Sequence, residues 1–545
     1  MERIQTDILI IGGGLTAMMA ALEVSPSALP VLVACKARAG NSGATLMAGS
    51  NFAAVLPDAE EKGDRVSLHM EDTLVAGARL NDSTLVEILA RRAPQDLLSL
   101  EAWGVPFLKK DGRFDLRKPP GHRNPRTVFT LNPGYPISIR GKSITAPLLH
   151  SMKQKKIPIL DGVGIVKLLI QDGALAGALG IRRRTGERVA IGCKAAVIAS
   201  GGGGFLYEIN TNPSDVTGDS YSLALEAGCS LRDMEFVQFY PCLYLGPPRF
   251  PIYSPILSDG AVLRNRDGER FLARYEPERM EMATRDAVSQ AIFREVRDGR
   301  GIDGGVYMDL TAVPPDLMSF RFPDLLAQFK KLGIDIQHTW IRVAPAAHFF
   351  MGGVVMDEDC RTSVPGLWAA GEAAGGLHGA NRLSGNGLSD PMVFGRIAGG
   401  RAAEYARRRK AAVLPERMFA LPWGTRGDKI PRRAIEDFRK KIKHAMGEQV
   451  GIIRDGPGLQ AALRDFKDWQ AWLEERQPGV PEALSPYYEV RSMLLAAQAV
   501  ASAALFRQES RGAHFREDFP KQEKEWAGSI SVRLEGGAFR LSRMH

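Results

Sequence analysis

One stretch limits the fold more than any other: DILIIGGGLTAMMAALEV, residues 7–24. An apolar run of strand length stops at three glycines and gives way to a run of helical length. Gly12, Gly14 and Ala17 spell G-x-G-x-x-A across the junction. The first glycine permits a tight turn, the second lets a pyrophosphate approach the backbone, and a small third residue lets helix and strand pack closely. The stretch predicts a Rossmann-like α/β domain that binds a dinucleotide, with a short amphipathic helix at 15–24. The usual rule is incomplete, because an Asp or Glu should end the second strand and hold the ribose hydroxyls. VLVACK (31–36) ends in Cys35 and Lys36 instead, so this is not a standard NAD fingerprint.

Two further strand–glycine units lie far downstream, AAVIASGGGG (195–204) and GLWAAGEAAGG (366–376). Such spacing predicts one parallel sheet interrupted by an insertion. The second unit should lead into a helix from about Asp390, with Asp390 as N-cap and Pro391 as first helical residue. The expected organisation is α/β: a Rossmann-like dinucleotide domain over 1–234 and 343–412, an inserted α+β capping domain over 235–342, and a C-terminal helical domain over 413–545. The proline-rich segment 241–255 reads as a mobile connection into the cap.

Composition narrows the function classes. Lys and Arg outnumber Asp and Glu by 71 − 62 = +9, but the basic clusters at 407–410 and 439–443 carry no interleaved aromatics. They read as solvated helix ends, not a nucleic-acid surface. The five cysteines are odd in number and lack C-x-x-C spacing, which argues against a disulfide framework, a metal site or an iron–sulfur cluster in this chain. The N-terminus reads as a strand, not a signal peptide. MLLAAQAVASAALF (493–506) reads as a buried helix, too short and alanine-rich to span a bilayer. Cytoplasmic placement with no direct membrane span is expected.

Polar groups recur at the ends of the strand–glycine units. Asp219, in TGDSYSLALEAG (217–228), serves either as a helix cap or as a ribose contact. Glu372 follows an apolar strand at the edge where parallel sheets bind ligands. Contacts spread over so long a span fit FAD better than NAD.

VTGDSYSLALEAGCSLRDMEFVQF, TRDAVSQAI, APAAHFFMGG, VPGLWAAGEAAGGLHGANRLSGNGLSDPMVFGR and ESRGAHFREDFP resemble the flavoprotein subunits of succinate dehydrogenase and fumarate reductase, a superfamily shared with L-aspartate oxidase. The resemblance runs from residue 6 to about residue 520. It implies FAD held by Gly12, Gly13, Gly14, Thr16 and Ala17, by Lys36, Ser42 and Gly43, by Asp219 and Glu372, and by the helix start at Gly387 and Leu388. That helix N-terminus would favour negative charge on the flavin. Ser42 stands where respiratory members carry a histidine bonded to the flavin, which implies noncovalent FAD. It further implies that His348 and Arg382 grip a substrate carboxylate and that Arg285 is the proton donor. A lone histidine beside FFMGG is otherwise a core residue, and Arg285-Asp286 otherwise a surface pair.

The other half of the site departs from the family. Tyr240 and Cys242, in QFYPC, replace a histidine and a threonine that contact a second carboxylate. The family's Thr-Glu-x-x-Arg segment, which binds substrate and relays protons, aligns with Tyr253-Ser254-Pro255-Ile256-Leu257. A longer loop path would place Ser258-Asp259 in the Thr-Glu role. Gly385 and Gly387 stand where serines are usual. The expected function is FAD-dependent interconversion of C=C and CH–CH beside a carboxylate, on an unsaturated monocarboxylate in preference to fumarate. Alternatives are a flavoprotein of fumarate reductase or succinate dehydrogenase proper, an L-aspartate oxidase, and a non-catalytic FAD electron-transfer subunit. A small carboxylate is the expected substrate. A separate iron–sulfur subunit is the expected partner, and the route to any membrane association.

Overall fold

A computed structural model describes residues 1–410, 412, 414–421 and 427–544. Its centre is a five-stranded parallel sheet in the order Leu367–Ala369, Ala195–Ile198, Ile8–Ile11, Val31–Cys35, Ile159–Asp161. The strands are unbroken apolar runs because both faces are covered. Helix Leu15–Val24 covers one face. It is not amphipathic as expected: every residue except Glu23 is buried. The reason is tertiary, since helix Asn386–Arg407 packs along its outer side. That second helix begins four residues before Asp390, so Asp390 and Pro391 lie inside it. Asp390 does not cap; it accepts from His378 Nε2 at 3.2 Å.

A mixed sheet that the sequence pattern did not reveal lies beside the core, formed by the antiparallel strands Val163–Gln171, Ala174–Arg182 and Arg188–Gly192 with Glu2–Gln5 added parallel at the edge. The inserted domain has its own five-stranded sheet, built on Val237–Tyr244 and Ile341–Phe350, and its own apolar core. The expected boundary at 342/343 falls inside the second of these strands. Segment 241–255 is not a mobile connection. It supplies the arm Phe250–Pro251 of this sheet, where Tyr244 packs on Phe250 at 5.1 Å and on Phe329 at 5.0 Å between ring centroids.

Helices Arg432–Gln449, Gly456–Glu474 and Leu484–Phe506 form the C-terminal domain. Its expected start at 413 lies outside the described residues. The domain is not purely helical: the hairpin Ile530–Glu535 with Ala538–Arg543 closes the chain and pairs with Leu231–Arg232. The apolar helix is also longer than its sequence pattern suggests. Pro481–Phe506 is long and apolar enough to cross a membrane by length and composition, yet 78% of that window is buried inside the protein. Burial, not shortness, makes it a core helix.

One ionic cluster fixes the floor beneath the cleft. Arg126 is fully buried and donates through Nε and Nη2 to Asp64 at 2.8 and 2.7 Å, and through Nη1 to Asp72 at 2.6 Å. His122, four residues away, reaches the Ser384 carbonyl with Nε2 at 2.8 Å. Removing one partner of such a cluster leaves uncompensated buried charge, worth about 3–5 kcal/mol. Arg126→Ala should therefore lower the thermal melting temperature by several degrees, and an unchanged melt would show that the two aspartates find other partners.

Candidate active site

The C-terminal ends of the parallel strands open into one long cleft of about 1620 Å³, its open mouth included. Gly12, Gly13, Gly14, Thr16, Lys36, Ser42, Gly43, Asp219, Glu372, Gly387 and Leu388 all line it. Ala17 does not; it is fully buried in the core. Gly12 is required by space: a Cβ there would stand 2.2 Å from the Ala199 carbonyl oxygen, at φ +137°.

These residues fit FAD on two observations. Helices Leu15–Val24 and Asn386–Arg407 both start in the cleft, and neither is capped by its own N-cap residue; of the first helix's free N–H groups, among the described residues only that of Leu15 is taken, by Thr45 Oγ1. Uncapped helix starts present N–H groups and positive dipole ends, which suit a pyrophosphate at one end and an electron-rich ring at the other. The second observation concerns Lys36, which takes the place of the missing acid. Its Nζ lies 2.7 Å from Asp219 Oδ2 and 2.6 Å from Thr217 Oγ1. Asp219 is the first residue of its helix and pairs with Lys36 instead of capping. Burial opposes the Lys36 charge, but Asp219 and Glu489 outweigh it and raise its pKa. Glu372 accepts from the Phe350 N–H at 3.1 Å, and burial pushes its carboxyl up to about 7. Ser42 Oγ donates to the Arg38 carbonyl at 2.8 Å. Thr45, which no sequence signal singled out, accepts from the Leu15 N–H at 3.1 Å.

At the other end of the cleft, Arg285, Arg382, His348 and Tyr240 come together as expected. Arg285 is the first residue of helix Arg285–Arg297 in the cap, and Arg382 sits in the loop before helix Asn386–Arg407. The residue joining them is not singled out by the sequence, although it opens the QFYPC stretch: Gln238, on strand Val237–Tyr244. Its Oε1 accepts from Arg382 Nη2 at 2.8 Å and from Arg285 Nη1 at 3.0 Å. Its amide nitrogen donates to Asn381 Oδ1 at 2.6 Å and to the Arg382 carbonyl at 2.9 Å. Neither guanidinium pairs with a carboxylate among the described residues; Glu372 and Asp390 favour the Arg382 charge only from a distance. Burial pulls the pKa of both arginines down, and the Arg285 charge adds to this at Arg382. A Cβ on Gly387 would meet Arg382 Nη1 at 2.6 Å, so a side chain there would shift the guanidinium.

His348 Nδ1 lies 2.7 Å from Thr211 Oγ1. With that hydroxyl donating, Nε2 carries the proton and is the imidazole's donor into the cleft. Burial and the two arginines hold His348 well below the ordinary imidazole value, which favours the neutral ring.

The facing wall offers rings, not donors. Tyr240 spends its hydroxyl on the Ile252 carbonyl at 2.5 Å and accepts from Ser254 Oγ at 2.8 Å. Its ring lies 5.0 Å from Arg285 Cζ and 4.9 Å from the His348 ring. Tyr253 donates to Asp324 Oδ2 at 2.7 Å, beside Arg140. Ser258-Asp259 does not rebuild the family's Thr-Glu pair: Ser258 bonds the Pro255 carbonyl and Asp259 pairs with Arg321 at 2.6 Å, both outside the cleft lining. Cys242 also lies outside that lining and is fully buried.

The chain matches the family model "FAD binding domain" over residues 7–388 and "Fumarate reductase flavoprotein C-term" over residues 439–540. It is 38% identical over 540 residues to an uncharacterised FAD-dependent oxidoreductase of Methanocaldococcus jannaschii, covering 97% of this chain and 96% of the relative. It is 37% identical over 546 residues to one subunit of the fumarate reductase (CoM/CoB) of Methanothermobacter marburgensis, covering 97% of each. Among solved structures, a variant of E. coli quinol fumarate reductase FrdA superposes with a TM-score of 0.89 at 29% identity, over 100% of this chain and 97% of that one.

The histidines around the chamber make stability pH-dependent. Burial lowers His69 to about 4, His122 to about 3, and also depresses His348 and His378. His69 and His122 stay neutral in the folded chain until pH nears those values but protonate in the unfolded chain below about 6.5. The stability they contribute is therefore complete above that value and is lost as pH falls, at about 1.4 kcal/mol per pH unit for each of the two. The urea midpoint should drop steadily from pH 6.5 to 4.5; a flat profile would mean these rings protonate in place.

Proposed function

The chain belongs to the fumarate reductase and succinate dehydrogenase flavoprotein family, and from that premise we propose that it interconverts the C=C and CH–CH forms of a carboxylic acid whose far end is uncharged. It is an FAD-dependent oxidoreductase acting on CH–CH bonds. The observation that carries the substrate reading is the contrast across the chamber. On one side two guanidiniums share a neutral acceptor, with a neutral imidazole donor beside them. On the other, both tyrosine hydroxyls are already bonded to protein.

FAD, when bound, supplies the hydride-exchanging ring, with residues 12–16, Lys36, Asp219, Glu372, Gly387 and Leu388 holding it. Arg382 and His348 bind one substrate carboxylate. Arginine suits this because its planar fork matches two carboxylate oxygens. As charge grows on that carboxylate in the transition state, the donors already point at it. Arg285 exchanges a proton with the α-carbon. Burial lowers its pKa, which makes it a more willing acid, and the acceptor is a strongly basic carbanion or enolate. The capping domain carries Arg285 and keeps water from the reacting atoms. This convergence of Arg285, His348 and Arg382 favours catalysis over a purely electron-transferring role. An electron-carrying iron–sulfur protein, separate from this chain, fits the designation of the M. marburgensis relative as one subunit of an enzyme.

A second carboxylate would lose two donors here, each worth about 1.5–3 kcal/mol, or roughly two to four powers of ten in affinity together. In a panel run with reduced viologen, and with a dye acceptor for the reverse direction, an α,β-unsaturated monocarboxylate should show higher kcat/KM than fumarate. Tyr240→His should move the preference toward fumarate. Fumarate or succinate as best substrate of the unmodified protein would overturn the substrate reading.

With Ser42 at the attachment position, the flavin should be noncovalent. Acid precipitation of the yellow protein should leave all FAD in the supernatant, and flavin in the denatured pellet would contradict it.

A further inference from the structure

Arg285 stands between two cavities. One is the reaction chamber. The other lies at the seam between capping domain and FAD-binding domain and is small, with about 30 Å³ of room for water, enough for one or two molecules. Arg285, Arg382, Ser254 and Ser384 line both. The rim of the second cavity includes exposed Gly121 and half-buried Ala76, so it reaches toward solvent.

A proton donor must be recharged at every turnover. The family's carboxylate at this place is absent, and no acid bonds Arg285 among the described residues. Arg285 Nη2 instead has two hydroxyl neighbours, Ser254 Oγ and Ser384 Oγ, each at 3.4 Å. From Ser254 one bond leads to Tyr240 Oη at 2.8 Å, and from there to the Ile252 carbonyl at 2.5 Å. That branch ends on buried backbone and cannot deliver protons. Glu281 also lines the second cavity, but its oxygens are held by Arg270 and by the Leu263 N–H at 3.1 Å. What is left is the cavity itself, mostly apolar through Pro120, Leu257, Val288 and Leu383 but with the polar side chains of Ser254, Thr284, Asn381 and Ser384 at its wall, enough partners to hold a water.

We propose that Arg285 regains its proton from water in this second cavity, with the Ser254 hydroxyl as last donor. This rests on the reading of Arg285 as the proton donor. In the reducing direction Arg285 gives a proton to the α-carbon and is left neutral. The Ser254 hydroxyl then turns from Tyr240 to the neutral Nη2 and passes its proton there as cavity water reprotonates the Ser254 oxygen in the same step, and one bulk proton per turnover restores the water. The oxidising direction runs the same steps backward. Ser254 thus acts through Arg285 and makes no bond to carbon.

The test uses the full FAD-loaded chain and the best acid of the substrate panel. Ser254→Ala should lower kcat at least tenfold and enlarge its solvent deuterium isotope effect, with KM and FAD content unchanged. Ser254→Glu, which restores the family's carboxylate, should keep kcat within threefold of the unmodified protein. Ala76→Leu narrows the rim without touching Arg285 and should also lower kcat; it carries the test if Ser254→Ala does not fold. A crystal structure should show ordered water bonded to Ser254 Oγ on the side of the second cavity. Unchanged kcat and isotope effect in Ser254→Ala, or a dry cavity, overturns the proposal. Failure of the functional reading has its own signature, the absence of any carboxylate turnover by the unmodified protein, and that result removes the proposal with it.

Discussion

Two guanidinium groups held by one neutral oxygen set the terms for the whole molecule. Burying a charge without a counter-ion is expensive, and burying two of the same sign side by side is more so. Gln238 bonds both arginines without cancelling either charge. A glutamate in its place would cancel one of the two charges. With glutamine there, both positive charges stay uncompensated by protein carboxylates among the described residues, and on the proposed reading a substrate carboxylate would offset one of them.

Such a site has to be held open by its surroundings. The Arg382 loop is braced from several sides. Asn381 Nδ2 donates to Asp286 in the cap at 2.6 Å, the Ala380 carbonyl accepts from the Ala513 N–H at 2.9 Å, and the Ser384 carbonyl is fixed by His122 at 2.8 Å. Each brace comes from a different part of the chain. The second cation arrives on the cap, so the clamp is assembled across the seam between two domains. On the opposite side of the chamber Asp324 of the cap gathers Arg140, Asn132 and Tyr253. The same contact that seats the cap there also turns the Tyr253 hydroxyl away from substrate.

The hydroxyls explain the chemistry of the far wall better than the residue names do. A tyrosine in place of a histidine need not remove a donor, since a phenol can donate. Here it does, because Tyr240 and Tyr253 are pinned to a backbone carbonyl and to a carboxylate. What the chamber meets is aromatic surface.

The sequence by itself determined the local chemistry: the glycine turn at 12–14, the parallel strands, the cofactor, and which residues, Arg285, His348 and Arg382, meet in the cleft. Those signals are legible because they are short-range. A tight turn needs glycine whatever surrounds it, a buried parallel strand is apolar throughout, and long motifs keep their order along the chain. Tertiary structure decided the rest. Helix Leu15–Val24 is buried all round only because a helix from the far side of the inserted domain, Asn386–Arg407, lies on it. Gln238 looks like any strand glutamine until the fold brings Arg382, 144 residues distant, against its oxygen. The same holds for the wall: whether a tyrosine offers its hydroxyl or its ring depends on which group, far along the chain, has already claimed the proton.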